Sequence, residues 1–164
     1  MGHEMLIWGM IEGALYHSGD EYSLLHQKNM EIISGLPGTA DADSWPWLNK
    51  TWFAAPGPRR IGTYRNFVIH LGGSIKDAPF DTPSATHLWI SKFEVIIRQL
   101  FWFQACVVFE GDFLEPIMYR WTATQEAIDK RWLSEPLPTD EWHLETIHIG
   151  RSTLGWIGAE NESH

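Results

Sequence analysis

Residues 66–110, NFVIHLGGSIKDAPFDTPSATHLWISKFEVIIRQLFWFQACVVFE, constrain the fold more than any other part of the chain. They read in succession as a strand, a Gly-Gly-Ser turn, an amphipathic helix and a buried strand. Trp89, Phe93, Ile96, Ile97 and Leu100 recur at helical spacing and make one apolar stripe, which predicts a helix over 84–100. Lys92, Glu94, Arg98 and Gln99 take its other faces. Thr82-Pro83 has the form of an N-cap followed by proline at the first helical position. Residues 102–110 are apolar on both alternating sets, as a central strand covered on both sides should be. The stripe must be buried, and a sheet containing 102–110 is the nearest surface to bury it on.

The remaining segments extend this unit. Met5 to Ala14 is an apolar run with Gly9 and Gly13 inside it, a first strand. Tyr22, Leu25, Ile32, Ile33 and Leu36 recur at helical spacing after the Ser18-Gly-Asp20 turn, and Gly35 is a C-terminal stop. Leu36 to Arg60 carries prolines at 37, 46, 56 and 58, so no regular helix runs through it. Connections of this length are functional or are ordered by their own side chains, here Trp45, Trp47, Trp52 and Phe53. Ile61 to Leu71 is expected to be strand, ended by Gly72-Gly73. Ile117 to Trp121 returns as a hairpin partner of 102–110. Thr122-Ala-Thr-Gln125 has capping-box spacing and predicts a third helix over 123–133, stopped by Pro136 and Pro138. Short strands are expected at 142–149 and 154–157. The expected fold is α+β: a single domain over 1–158, mainly an antiparallel sheet with two or three helices packed on it, and a polar tail at 159–164.

Charge and composition narrow the function classes. With 12 basic and 21 acidic residues the formal charge is −9, the wrong sign for a protein that binds nucleic-acid phosphates. It suits a basic partner, or serves solubility alone. Ten Trp, eight Phe and four Tyr supply large buried areas and are also the residue types favoured at recognition surfaces. The single cysteine, Cys106, allows no internal disulfide, and no neighbouring basic residue lowers its pKa toward nucleophilic use. The first residues, with Glu4 and no basic start, do not read as a signal peptide, and no apolar run is long enough to span a bilayer. A cytoplasmic protein with no membrane partner is the expectation.

Three constellations bear on chemistry. His70 and Ser74 in VIHLGGSIK suggest a hydrolase, but Lys76 stands where a nucleophile elbow needs its second glycine. His143 and Glu145 share one face of a strand while His148 points the other way, so a metal site would need a ligand from elsewhere. Trp45, Trp47 and Trp52 offer a stacking platform for a small ligand. No cofactor is expected. The acidic residues group as Glu110, Asp112 and Glu115 at one hairpin end, as Asp41 and Asp43 beside Trp45 and Trp47, and as Glu135, Asp140, Glu141 and Glu145. Carboxylates around an aromatic anchor are the makings of a protein-binding surface for a basic partner.

The segments WPWLN…WF, NFVIHLGGSIK, WISKFEVIIRQL and the strand after it resemble the bacterial polymorphic-toxin immunity proteins, and among them the immunity protein 52 family. Gly72-Gly73-Ser74 stands for that family's Gly-x-Ser motif and Trp89 or Trp102 for a family tryptophan, over about residues 45–120. The resemblance implies an α+β fold and a non-enzymatic protein that neutralises a cognate toxin. That toxin would carry a restriction-endonuclease-like nuclease domain and include type VI secretion effectors. It brings no catalytic residues. The partner-binding residues are therefore taken from the charge pattern: Glu110, Asp112 and Glu115 first, then Asp41, Asp43, Trp45 and Trp47.

Overall fold

The computed structural model describes residues 4–13, 19–38, 45–55, 68–76, 83–111, 115–131 and 135–150. The chain forms β1 (Glu4–Gly13), α1 (Gly19–Ser34), a 3-10 turn (Lys50–Trp52), β2 (Phe53–Ala54) and β3 (Val68–Lys76). It continues with α2 (Pro83–Ile97), β4 (Trp102–Gly111), β5 (Ile117–Ala123), α3 (Gln125–Lys130) and β6 (Trp142–His148). The strands make one six-stranded sheet in the order β2-β3-β1-β4-β5-β6, and every neighbouring pair is antiparallel. Since β3 and β4 both run against β1, they run parallel to each other, and α2 is the crossover that joins them past β1. The α+β architecture expected from the pattern is the one observed.

One face of the sheet carries the core. Met5, Ile7 and Ile11 of β1, Ile69, Leu71 and Ile75 of β3, Ala105, Val107 and Phe109 of β4 and Trp121 of β5 are all buried with Trp89, Phe93, Ile96 and Ile97 of α2. The Trp89 ring stacks on Phe93 at 5.5 Å and meets Phe109 edge-on at 5.3 Å, while Phe93 lies 4.9 Å from Trp121. These separations are those at which aromatic pairs add to their area burial. Each fully buried indole also finds an acceptor. Trp89 Nε1 donates to the Trp47 carbonyl at 3.2 Å, Trp102 Nε1 to Ile97 at 2.7 Å and Trp121 Nε1 to Glu94 Oε1 at 2.8 Å. A register shift at Glu12/Gly13 sets Gly13 against Trp102 and Glu12 against Gln104. This bulge turns Trp102 onto the core face that Ala105 also occupies.

The other helices close the same side. Ile33 of α1 joins the main core, and Leu25 packs with Phe101. Asn29, 1% exposed, donates to the Phe101 carbonyl at 3.0 Å and accepts the Phe101 N–H at 2.8 Å, which pins α1 to the α2–β4 turn. Buried Arg131 donates to the Trp102 carbonyl and to Thr139 Oγ1, and Thr139 donates to the same carbonyl at 2.6 Å. The segment after α3 is thereby tied to the start of β4.

Three local expectations are corrected. Gly72-Gly73-Ser74 is not a turn and does not end the strand: β3 runs through it to Lys76. Gly73 lies opposite Ile7, and a Cβ there would stand 2.8 Å from the Trp52 ring, so the missing side chain makes room for that indole. The cap of α3 is Thr124, whose hydroxyl accepts from Ala127 N at 3.2 Å, while Thr122 is still in β5. Strand pairing holds Thr122 and leaves the next threonine to start a helix shorter than expected. The α2 helix ends at Ile97 rather than 100 because Gln99 and Leu100 close a turn onto Ile96 and Ile97. The Thr82 cap, residues 61–67, the strand expected at 154–157 and the tail at 159–164 lie outside the described residues.

Two substitutions test this packing. Phe93→Ala removes a ring that is 0% exposed, and denaturant unfolding should show a loss on the order of 3–5 kcal/mol. Gly9→Ala drives a Cβ onto the Cys106 carbonyl oxygen and to 2.9 Å from Val107 Cα, both backbone atoms. It should cost on the order of 1–3 kcal/mol in the same measurement, whereas a neutral outcome would show that β1 and β4 separate freely.

Candidate protein-binding face

The opposite face of the sheet can be read from the registers. Gly72, Trp8, Val108, Met118 and Ile147 lie side by side across β3, β1, β4, β5 and β6. The next row is His70, Met10, Cys106, Arg120 and Glu145, followed by Val68, Glu12, Gln104, Thr122 and His143. At the other end Ser74, Leu6 and Glu110 are aligned. Trp8, Met10, Met118 and Ile147 are half-buried, Leu6 is 44% exposed and Val108 is fully buried among them. The three α-helices among the described residues pack on the core face instead.

Of the residues expected to bind a partner, Glu110 lies on this helix-free face and Glu115 is exposed just before β5. The fold brings both to the sheet end where Glu4 starts β1. Asp112, Asp41 and Asp43 lie outside the described residues. Trp45 is 38% exposed. Trp47 is half-buried against the main core, and its carbonyl takes the Trp89 N–H. Lys92 Nζ donates to the Pro46 carbonyl at 3.0 Å. The tryptophan-rich loop is thus stitched to α2, and Trp52 is buried against Trp89 at 6.1 Å, so these rings form no open platform.

The remaining constellations are placed as follows. His70 and Ser74 are both exposed on β3, two positions of the same face apart, which is roughly 13 Å along a strand and beyond a hydrogen bond. Glu145 Oε2 accepts from Arg120 at 2.5 Å, so the carboxylate beside His143 is engaged. Glu126, Asp140 and Glu141 gather around Lys130 at 3.9, 4.0 and 3.5 Å. No group of three or more His, Cys, Asp or Glu among the described residues is arranged to hold a metal ion. No helix among them is long and apolar enough to cross a membrane. Cys106 is half-buried in the middle of the helix-free face. Burial pushes its thiol above the ordinary value, a Met10 backbone hydrogen bond and the Arg120 guanidinium pull the other way, and the Glu12 carboxylate adds to the rise.

Trp8, Met10, Met118 and Ile147 did not stand out in the sequence. The signal that was there is in β1, where Leu6, Trp8 and Met10 make the outward set as apolar as the buried one. A strand with one solvated face has a polar outward set. Compared with protein families, characterised proteins and solved structures, the chain matches none of them.

The raised thiol pKa gives a direct check. The thiolate is the reactive form, so alkylation of native Cys106 near pH 8 should be at least about tenfold slower than in denaturant. Equal rates in the two states would mean that the thiol is neither shielded nor shifted.

Proposed function

We infer that this chain is an immunity protein of the cytoplasm. It binds a cognate secreted nuclease toxin, of restriction-endonuclease-like type from a type VI or polymorphic toxin system, and neutralises it by tight association without chemistry. The observation that carries this reading is the gathering of Glu4, Glu110 and Glu115 at one sheet end in a chain of charge −9. A nuclease must present Lys and Arg to hold a phosphate backbone, so carboxylates on its inhibitor meet the groove or its rim. The resemblance to the immunity protein 52 family supports the same assignment. So does the strand spacing between His70 and Ser74, which gives neither residue a catalytic partner in the other.

Co-expression with the toxin encoded by the adjacent gene is the test. Cells carrying both should grow, and the two proteins should co-purify. A folded His70→Ala, Ser74→Ala double variant should protect as well as the wild type. Loss of protection in that variant with toxin binding intact would replace inhibition by binding with hydrolysis. Failure of the wild type to bind or protect would remove the immunity assignment.

A further inference from the structure

The geometry points to the helix-free face of the sheet, centred on Trp8, as the docking surface for a basic protein partner; this rests on the immunity reading and makes the nuclease toxin the occupant. The core of the face is apolar where an outward sheet face should be polar. Leu6, Trp8 and Met10 follow one another along β1, one of the two central strands of the sheet, and Met118 and Ile147 continue the Trp8 row toward β6. Trp and Met are the residue types enriched at the centres of protein interfaces, the first for its rigid area and the second for its ability to adapt. Gly72, opposite Trp8 in the register, adds no side chain to this row.

The rim selects the partner's charge. Glu12 and Glu110 stand at opposite ends of the Leu6–Met10 stripe, roughly 20 Å apart along the strand direction, and among the described residues neither has an ion pair. Arg120, in the middle of the face, is already bonded to Glu145. An apolar centre with unmatched carboxylates at both ends is complementary to a protrusion flanked by Lys and Arg. It disfavours nucleic acid and other acidic surfaces by like charge. Glu110, read from the sequence as part of a hairpin tip, is in this arrangement one end of the rim.

The test is binding kinetics with a catalytically inactive form of the toxin domain from the adjacent gene as the probe. The variants are Trp8→Ala, Leu6→Ser, and Glu12→Lys with Glu110→Lys. The control is Leu88→Ser with Val95→Ser, at residues 53% and 64% exposed on α2, across the sheet. Circular dichroism and Tm establish that each variant is folded; exposed Leu6 keeps the test available should Trp8→Ala fail to fold. Trp8→Ala and Leu6→Ser should each raise Kd by about thirtyfold or more. The double charge reversal should slow association by about tenfold at low salt, with the difference vanishing at high salt. The α2 control should stay within about twofold of the wild type. Wild-type binding that all the face variants reproduce, or that the α2 control loses equally, would overturn the docking face and leave the immunity reading standing. No binding by the wild type would overturn both.

Discussion

Burying an indole removes a large apolar ring from water, but its N–H must leave water with it and needs an acceptor inside. Trp89, Trp102 and Trp121 are each 0% exposed, and their three bonds join α2 to three different segments. Trp89 recruits the carbonyl of Trp47 and so holds the loop before β2 against α2. Trp102 takes the carbonyl of Ile97 and fixes the tight turn from α2 into β4. Trp121 takes the Glu94 carboxylate and ties β5 to the same helix. The packing of α2 on the sheet therefore depends on directional bonds as well as on area, and a slip of the helix would leave several buried donors unpaired at once.

The order of strands makes β1 the organiser of both faces. It is flanked by β3 and β4, so each residue from Met5 to Glu12 pairs with both neighbours, and its outward set sits in the middle of the face on which no helix among the described residues packs. The crossover helix occupies one side only. Among the described residues the other side carries Trp8, Met10, Val108, Met118 and Ile147 at its centre and charged side chains at its ends. This is the arrangement expected of a protein that works by presenting a surface, because strands hold contact residues in fixed register.

Loops long in sequence are not necessarily loops free in space. The proline- and tryptophan-rich segment read as a recognition loop is partly consumed by the fold: Trp52 is buried, Trp47 packs on the core, and Lys92 reaches over to the Pro46 carbonyl. Gly73 participates in the same arrangement, since its missing Cβ is where the Trp52 ring lies. A Gly-Gly pair inside a strand pattern looks like a stop, yet here it is the mark of a ring packed directly on the backbone.

Periodicity in the sequence determined the helices of 19–34 and 83–97, the two-faced strand β4 and the α+β class, because these follow from spacing along a single segment. It also established the acidity of the chain and the acidic character of Glu110 and Glu115. The length of β3, the true cap of α3 and the burial of Trp47 and Trp52 were decided by contacts with other segments. The helix-free face was decided in the same way. Trp8, Val108, Met118 and Ile147 have no local relation in sequence, and only strand pairing brings them into one row. Local patterns report which way a side chain points from its own strand. Which residues become its neighbours is set by register, and register is a property of the assembled sheet.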